Sequence, residues 1–211
     1  MAVAYRLIIF DFDGTLADSA GWFARILNGV ATRFRFRTVT AAEIEQLRGM
    51  ESREIVRYFG VPAWKMPFIA AHVRKLAASE ADNIRLFEGV PNVIRQLACH
   101  GVAVAVVSSN SEANVRKVLG PELAGLVAHY GCGASVFGKA AKFRQVIRRA
   151  KVARDEVLCV GDEVRDIEAA AKAGLASAAV TWGYAAPEVL CACRPTVVFR
   201  APAEIAGALA A

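Results

Sequence analysis

Leu7 to Phe10, Val102 to Val107 and Val157 to Val160 are continuous apolar runs of strand length, each closely followed by polar residues. A run with no polar alternation suits a strand covered on both faces, as in a parallel sheet packed between helices. Helical patterns lie between the runs. Val90 to His100 has Pro91 in its first turn and Gly101 just beyond its end, Ala113 to Leu119 stops at Gly120-Pro121, Ala140 to Ala150 is basic and amphipathic, and Ile167 to Ala173 ends at Gly174. Ala178 to Thr181 reads as a fourth strand and Val197 to Phe199 as an edge strand. The alternation predicts an α/β fold with a parallel sheet.

The stretch from residue 17 to 86 departs from this pattern. It offers helices and no convincing strand. Trp22, Phe23, Ile26, Leu27 and Val30 recur at helical spacing. Thr40-Ala-Ala-Glu43 is a capping-box pattern opening a second helix, and Ser52 to Phe59 and Ala63 to Ala78 supply two more. Core packing accounts for Trp22 and Phe23 better than a pocket lining does. A chain of 211 residues can hold one large domain or a core with an insertion. The expected organisation is an α/β core from 1–16 and 87–211, with an all-helical insertion at 17–86.

Composition excludes several classes. With 55% hydrophobic and 22% charged residues, the chain is globular rather than disordered. The formal charge of +6 is scattered, apart from the alternating Arg33, Arg35 and Arg37, and no aromatic-basic motif points to nucleic acid. Cys191-Ala-Cys193 lacks zinc spacing, and the five cysteines fit a reducing cytoplasm. No secretory signal pattern and no membrane-spanning run is found. The expected location is cytoplasmic, with neither a membrane nor a nucleic-acid partner.

In an open parallel sheet, ligands bind beyond the carboxyl ends of the strands. The residues found there are Asp11 and Asp13 after the first run, Ser108, Ser109 and Asn110 after the second, and Gly161, Asp162, Glu163 and Asp166 after the third. Gly138-Lys139 opens the helix before the third run. If the strand geometry persists to its tip, Asp11 and Asp13 project to the same side. Two adjacent carboxylates call for a cation or a shared proton, and a hard divalent metal suits oxygen ligands. Taken singly, Ser108 to Asn110 or Asp166 could simply cap a helix, and Lys139 could be a solvated surface residue. Their joint order at strand ends argues for chemistry.

These motifs resemble the haloacid dehalogenase superfamily, and within it the phosphoglycolate phosphatase-like phosphatases. Asp11-Phe-Asp13-Gly-Thr15 is similar to the first motif, and Val106-Val107-Ser108 to the second. Lys139 is similar to the third, and Gly161-Asp162-Glu163-Val164-Arg165-Asp166 to the fourth. The similarity runs on through Thr181-Trp182-Gly183-Tyr184. The resemblance implies a Rossmann-like parallel-sheet core with the helical insertion as a cap domain.

It also implies roles. Asp11 would be the nucleophile that forms an aspartyl-phosphate, and Asp13 the general acid and base. Mg²⁺ would be held by Asp11, the backbone carbonyl of Asp13, and Asp162, with Asp166 in an outer or water-mediated position. Ser108 and Lys139 would hold the phosphoryl oxygens, and Ser109 and Asn110 would add substrate contacts. Lys142 rivals Lys139, and Ser109 rivals Ser108. Glu163 could help to place the metal or its waters. Arg48, Arg53 and Arg57 in the insertion could meet an acidic substrate, although surface helix positions explain them as well. Lys139 is followed by Ala140 where phosphoglycolate phosphatases often carry proline, which weakens assignment to that one ester. An acid at Asp13 disfavours a carbon-halogen substrate. The expected activity is Mg²⁺-dependent hydrolysis of a small phosphorylated metabolite. The alternatives are a mutase of the β-phosphoglucomutase kind and a catalytically idle phospho-ligand binder.

Overall fold

The computed structural model describes residues 5–50, 52–133 and 138–207. In chain order the elements are β1 (Leu7–Phe10), β2 (Ala17–Asp18), α1 (Ala20–Phe34), α2 (Ala41–Leu47), α3 (Ser52–Tyr58), α4 (Met66–Ser79), β3 (Arg85–Leu86) and α5 (Val90–Cys99). They continue with β4 (Ala103–Val106), α6 (Glu112–Leu126), β5 (Val127–Tyr130), α7 (Lys139–Ala150), β6 (Val157–Gly161), α8 (Val164–Ala173), β7 (Ala176–Val180), α9 (Pro187–Ala192), β8 (Val197–Phe199) and α10 (Ala203–Gly207).

Six strands form one sheet in the order β5-β4-β1-β6-β7-β8, and every neighbouring pair is parallel. Numbered by their succession along the chain, these strands lie 3-2-1-4-5-6, the order of a doubly wound sheet. The chain reverses its direction of travel across the sheet between β1 and β6, and a crevice opens at the carboxyl end of such a switch point.

Strand alternation divides the core in two. Ile8, Phe10, Val104, Val106, Leu158 and Val160 join one buried cluster with α5 and α6 residues such as Ile94, Leu97 and Val115. Leu7, Ile9, Ala105, Val107, Val157 and Cys159 join the other, against Phe143, Val146 and Ala170 of α7 and α8. Both faces of the sheet are therefore dry, which is why its strands read as unbroken apolar runs. The helical stretch has a small cluster of its own, built on Leu27, Val39, Leu47 and Phe59. Trp22 and Ala77 instead join the main core, which fastens α1 and α4 to it. The Thr40 capping box forms as the spacing predicts: the Glu43 amide donates to Thr40 Oγ1, and the Thr40 amide donates to Glu43 Oε2.

The structure differs from the sequence expectations at several places. Strand β5 was not foreseen, because Val-Ala-His-Tyr on an edge carries no apolar run. Strand β7 begins at Ala176, earlier than Ala178, because alanine and serine give a weak strand signal. The 17–86 stretch was expected to lack strands, yet β2 and β3 pair antiparallel at its two ends and bring its entry and exit together. Helix α6 does not end at Gly120. Gly120 takes φ 74° and ψ 166°, and Pro121 begins a second helical stretch, so the expected stop is a kink. Helix α8 starts at Val164, ahead of the expected Ile167.

Candidate active site

Asp11 follows the central strand, and its amide donates to the Val160 carbonyl at 2.9 Å, extending the β1–β6 ladder by one bond. The chain then turns. The amides of Thr15, Leu16 and Ala17 all converge on the Phe12 carbonyl at 3.3, 2.9 and 2.9 Å, and Gly14 takes φ 82° within this turn. Strand alternation thus stops short of Asp13. Its carboxylate instead faces Asn110, whose Nδ2 donates to Oδ2 at 3.4 Å. Burial raises the Asp13 pKa, while Ser19 and Asn110 favour its charged form.

Lys139 is the first residue of α7 and is 2% exposed. A cation at a helix N-terminus opposes the helix dipole. Here two carboxylates offset that cost: Lys139 Nζ lies 2.6 Å from Asp11 Oδ2 and forms a second ion pair with Asp166. Burial alone would lower the lysine pKa, but Asp11 and Asp166 raise it on balance. Asp11 is pushed up to about 7 by burial, against the pull of Lys139 and with a further push from Asp166. Lys142 lies beside Gly131 and has no such pair with Asp11 among the described residues.

Asp162, at the end of β6, is fully buried. Its Oδ1 accepts from the Thr15 hydroxyl at 2.7 Å and its Oδ2 from the Tyr184 amide at 2.8 Å. Only glycine fits around it: a Cβ on Gly14 or Gly183 would lie 2.2 Å from an Asp162 atom. Burial, then Glu163, Asp11 and Asp166, hold its pKa well above the usual carboxylate range. Asp166 commits Oδ1 to Lys139 and Oδ2 to the Glu163 amide, capping α8 while it holds the lysine. Glu163 turns its carboxylate to Arg165.

Oxygens of Asp11, Asp162 and Asp166 lie within 4.8 Å of one another. Three buried carboxylates against one buried ammonium leave an excess of negative charge, and the all-oxygen donor set fits a hard divalent cation. The Asp13 carboxylate is not in this group.

Ser108 is buried at the end of β4, and its Oγ accepts from the Asn110 amide at 3.0 Å. Ser109 is only half-buried, and its carbonyl accepts from Arg74 at 3.2 Å. Capping of α6 falls to Ser111, whose Oγ accepts from the Asn114 amide at 3.2 Å, so Ser108 to Asn110 are not needed as caps. Arg48 reaches the core, donating to the carbonyls of Tyr184 at 3.2 Å and Gly183 at 3.4 Å, while Arg53 and Arg57 are exposed. Of the adjacent aromatics in the first turn of α1, Trp22 is core, and Phe23 packs edge-on against Tyr184 with ring centroids 6.3 Å apart.

Sequence reasoning assigned no role to Thr15, Ser19, Asn114 or Tyr184. Thr15 had a signal, since it sits two residues after Asp13. Ser19, Asn114 and Tyr184 are brought in by the fold alone; the Tyr184 hydroxyl lies 2.7 Å from Ser19 Oγ.

The family model described as haloacid dehalogenase-like hydrolase matches residues 8–180. The phosphoglycolate phosphatase of Synechococcus elongatus is 32% identical over 201 residues, covering 95% of each chain. The tyrosine-protein kinase PtkA of Mycobacterium tuberculosis is 27% identical over 209 residues, covering 93% of this chain and 69% of its own. Among solved structures, a haloacid dehalogenase-like family hydrolase from Streptococcus pneumoniae superposes with a TM-score of 0.78 at 17% identity, covering 97% of this chain and 98% of that one. That last likeness concerns the fold.

Proposed function

Because the chain belongs to the haloacid dehalogenase-like hydrolase family, we propose that it is a divalent-metal-dependent phosphatase that cleaves a small phosphate monoester through an aspartyl-phosphate on Asp11. The observation that carries this reading is the buried contact of 2.6 Å between Asp11 and Lys139 at the switch point of the sheet, within a cluster of three carboxylates. Lys139 favours the ionised form of a buried carboxylate and offers its one remaining donor to a phosphoryl oxygen.

The residues fit Mg²⁺: Asp11, Asp162 and the Asp13 carbonyl would hold it, and Asp166, whose oxygens bond Lys139 and the Glu163 amide, would lie outside them. When bound, the ion would supply charge neutralisation of the phosphoryl group, so that one anion can approach another. Asp11 attacks phosphorus as the ester bond breaks. Asp13 protonates the leaving oxygen, then takes a proton from the water that hydrolyses the acyl-phosphate. General acid and base help of this kind is worth roughly 10²- to 10⁴-fold. Ser108 and Asn110, just beyond the end of β4, would position phosphoryl oxygens. The helices between β2 and β3 would act as a cap; Arg48, the residue after α2, touches the Gly183–Tyr184 backbone, so closure would shield the site from water. The 32% identical relative, a phosphoglycolate phosphatase, favours a phosphoglycolate-like ester.

A metabolite phosphate panel with Mg²⁺, phosphoglycolate included, tests the reading. Release of inorganic phosphate that disappears in Asp11→Asn is expected. Isomerisation of a hexose phosphate without free phosphate would replace hydrolysis by mutase chemistry. No metal-dependent turnover of any ester would leave only ligand binding.

A further inference from the structure

Two asparagines join α4 to the Asp13 carboxylate, and simple donor–acceptor logic fixes which way each one points. The Ser111 amide can only donate, and it lies 2.9 Å from Asn110 Oδ1. Asn110 must therefore turn its Nδ2 toward Asp13 Oδ2, 3.4 Å away. The Arg74 carbonyl can only accept, and it lies 2.9 Å from Asn114 Nδ2. That same amide nitrogen also donates to Asn110 Oδ1 at 2.8 Å. Both amide protons of Asn114 are used, and both asparagines are buried. The result is one connected line, from the backbone of α4 through Asn114 and Asn110 to Asp13. Arg74 reinforces it by donating from its guanidinium to the Ser109 carbonyl at 3.2 Å.

We infer that Asn114 is a positioning residue: it locks the Asn110 amide that aims the Asp13 carboxylate at the leaving oxygen, and it ties that aim to the seating of α4. The inference rests on the acid role given to Asp13 above. In the step concerned, the bond from an Asp11 oxygen to phosphorus forms as the ester P–O bond breaks, and the proton on Asp13 passes to the departing alkoxide. Buried polar networks of this kind act as units, and a loosened member moves its neighbours.

The leaving group provides the readout. p-Nitrophenolate departs without a proton, whereas an alkoxide needs one. The ratio of kcat/KM for p-nitrophenyl phosphate to kcat/KM for an alkyl phosphate therefore reports how well the acid is placed, independently of how much folded enzyme is present. Asp13→Asn should raise this ratio by about the worth of a general acid, roughly 10²-fold or more. Asn114→Ala should raise it by on the order of tenfold while kcat/KM for p-nitrophenyl phosphate, which ends at phosphoryl transfer to Asp11, stays near wild type, since a misplaced acid loses part of that factor. Asn114→Ser, which keeps one donor, should fall between wild type and Asn114→Ala, and it supplies the answer if the alanine variant folds poorly. A wild-type ratio in both Asn114 variants, with a raised ratio in Asp13→Asn, overturns the positioning role alone. An unchanged ratio in Asp13→Asn overturns the acid role and the inference together.

Discussion

The Thr15 hydroxyl donates to Asp162 Oδ1 at 2.7 Å across 147 residues of chain. The contact joins the turn after β1 to the end of β6, so the two carboxylate-bearing strands of the switch point are tied by a side chain as well as by their ladder. The second Asp162 oxygen is held by the Tyr184 amide. The carboxylate is thus aimed before any ion arrives, and that preorganisation can be tested.

Thr15→Val keeps the volume and removes the donor. The Mg²⁺ concentration for half-maximal phosphatase activity should rise by roughly 10- to 100-fold, the usual cost of losing a partner behind a metal ligand. A metal titration of p-nitrophenyl phosphate hydrolysis measures it. An unchanged midpoint would separate this bond from metal binding.

Lys139→Met leaves Asp11 and Asp166 buried without their ammonium. Breaking a buried ion pair from one side costs about 3–5 kcal/mol, so the melting temperature should drop clearly at pH 7. Activity should fall by more than about 10²-fold, the scale of losing one electrostatic stabiliser. Lys139→Arg should not restore activity, because a planar guanidinium does not fit a site made for a point charge.

Glu43 sets a pH dependence away from the site. The Thr40 amide, the Tyr58 hydroxyl, the Thr40 hydroxyl and Arg37 hold its pKa at about 2, below the ordinary 4.5. The folded state therefore binds fewer protons than the unfolded chain between these values. Its contribution is present above pH 4.5 and is lost as the pH falls toward 2. Urea unfolding should show wild type more stable than Glu43→Gln at pH 7, with the gap closing across that window. A gap that persists at pH 2 would mean that the charge is not its source.

Arg48→Ala removes both side-chain bonds to the Gly183 and Tyr184 carbonyls but keeps the bond of 2.8 Å from the Ala186 amide to the Arg48 carbonyl. The arginine side chain is 40% exposed, so the melting temperature should change little. Loosening the loop that holds Asp162 should lower kcat/KM several-fold and raise the Mg²⁺ requirement. Arg48→Lys should behave like alanine, since a single ammonium cannot serve both carbonyls in the same geometry.

Much of the site is local in the chain and was legible there. Lys139 could be singled out because Gly138 marks a helix entrance, and the structure sets it against Asp11. Asp162 follows an apolar run directly. Asp13 was a candidate from the sequence on the ground of strand alternation, whereas a turn closed on the Phe12 carbonyl places its carboxylate beside Asn110. Strand β5 escaped because edge strands need no apolar run, and the β2–β3 ribbon escaped because two-residue strands carry no period at all.

The sequence by itself determined the strand ends and the residue types that stand on them, because burial on both faces forces apolar runs and ligands gather where the runs stop. Only the tertiary structure decided which of those residues meet. Thr15 finds Asp162, the Tyr184 hydroxyl finds Ser19, and Asn114 links the Arg74 carbonyl to Asn110. Each contact depends on crossovers that bring distant segments to one crevice, and hydrogen-bond geometry over such separations leaves no periodic mark on the chain.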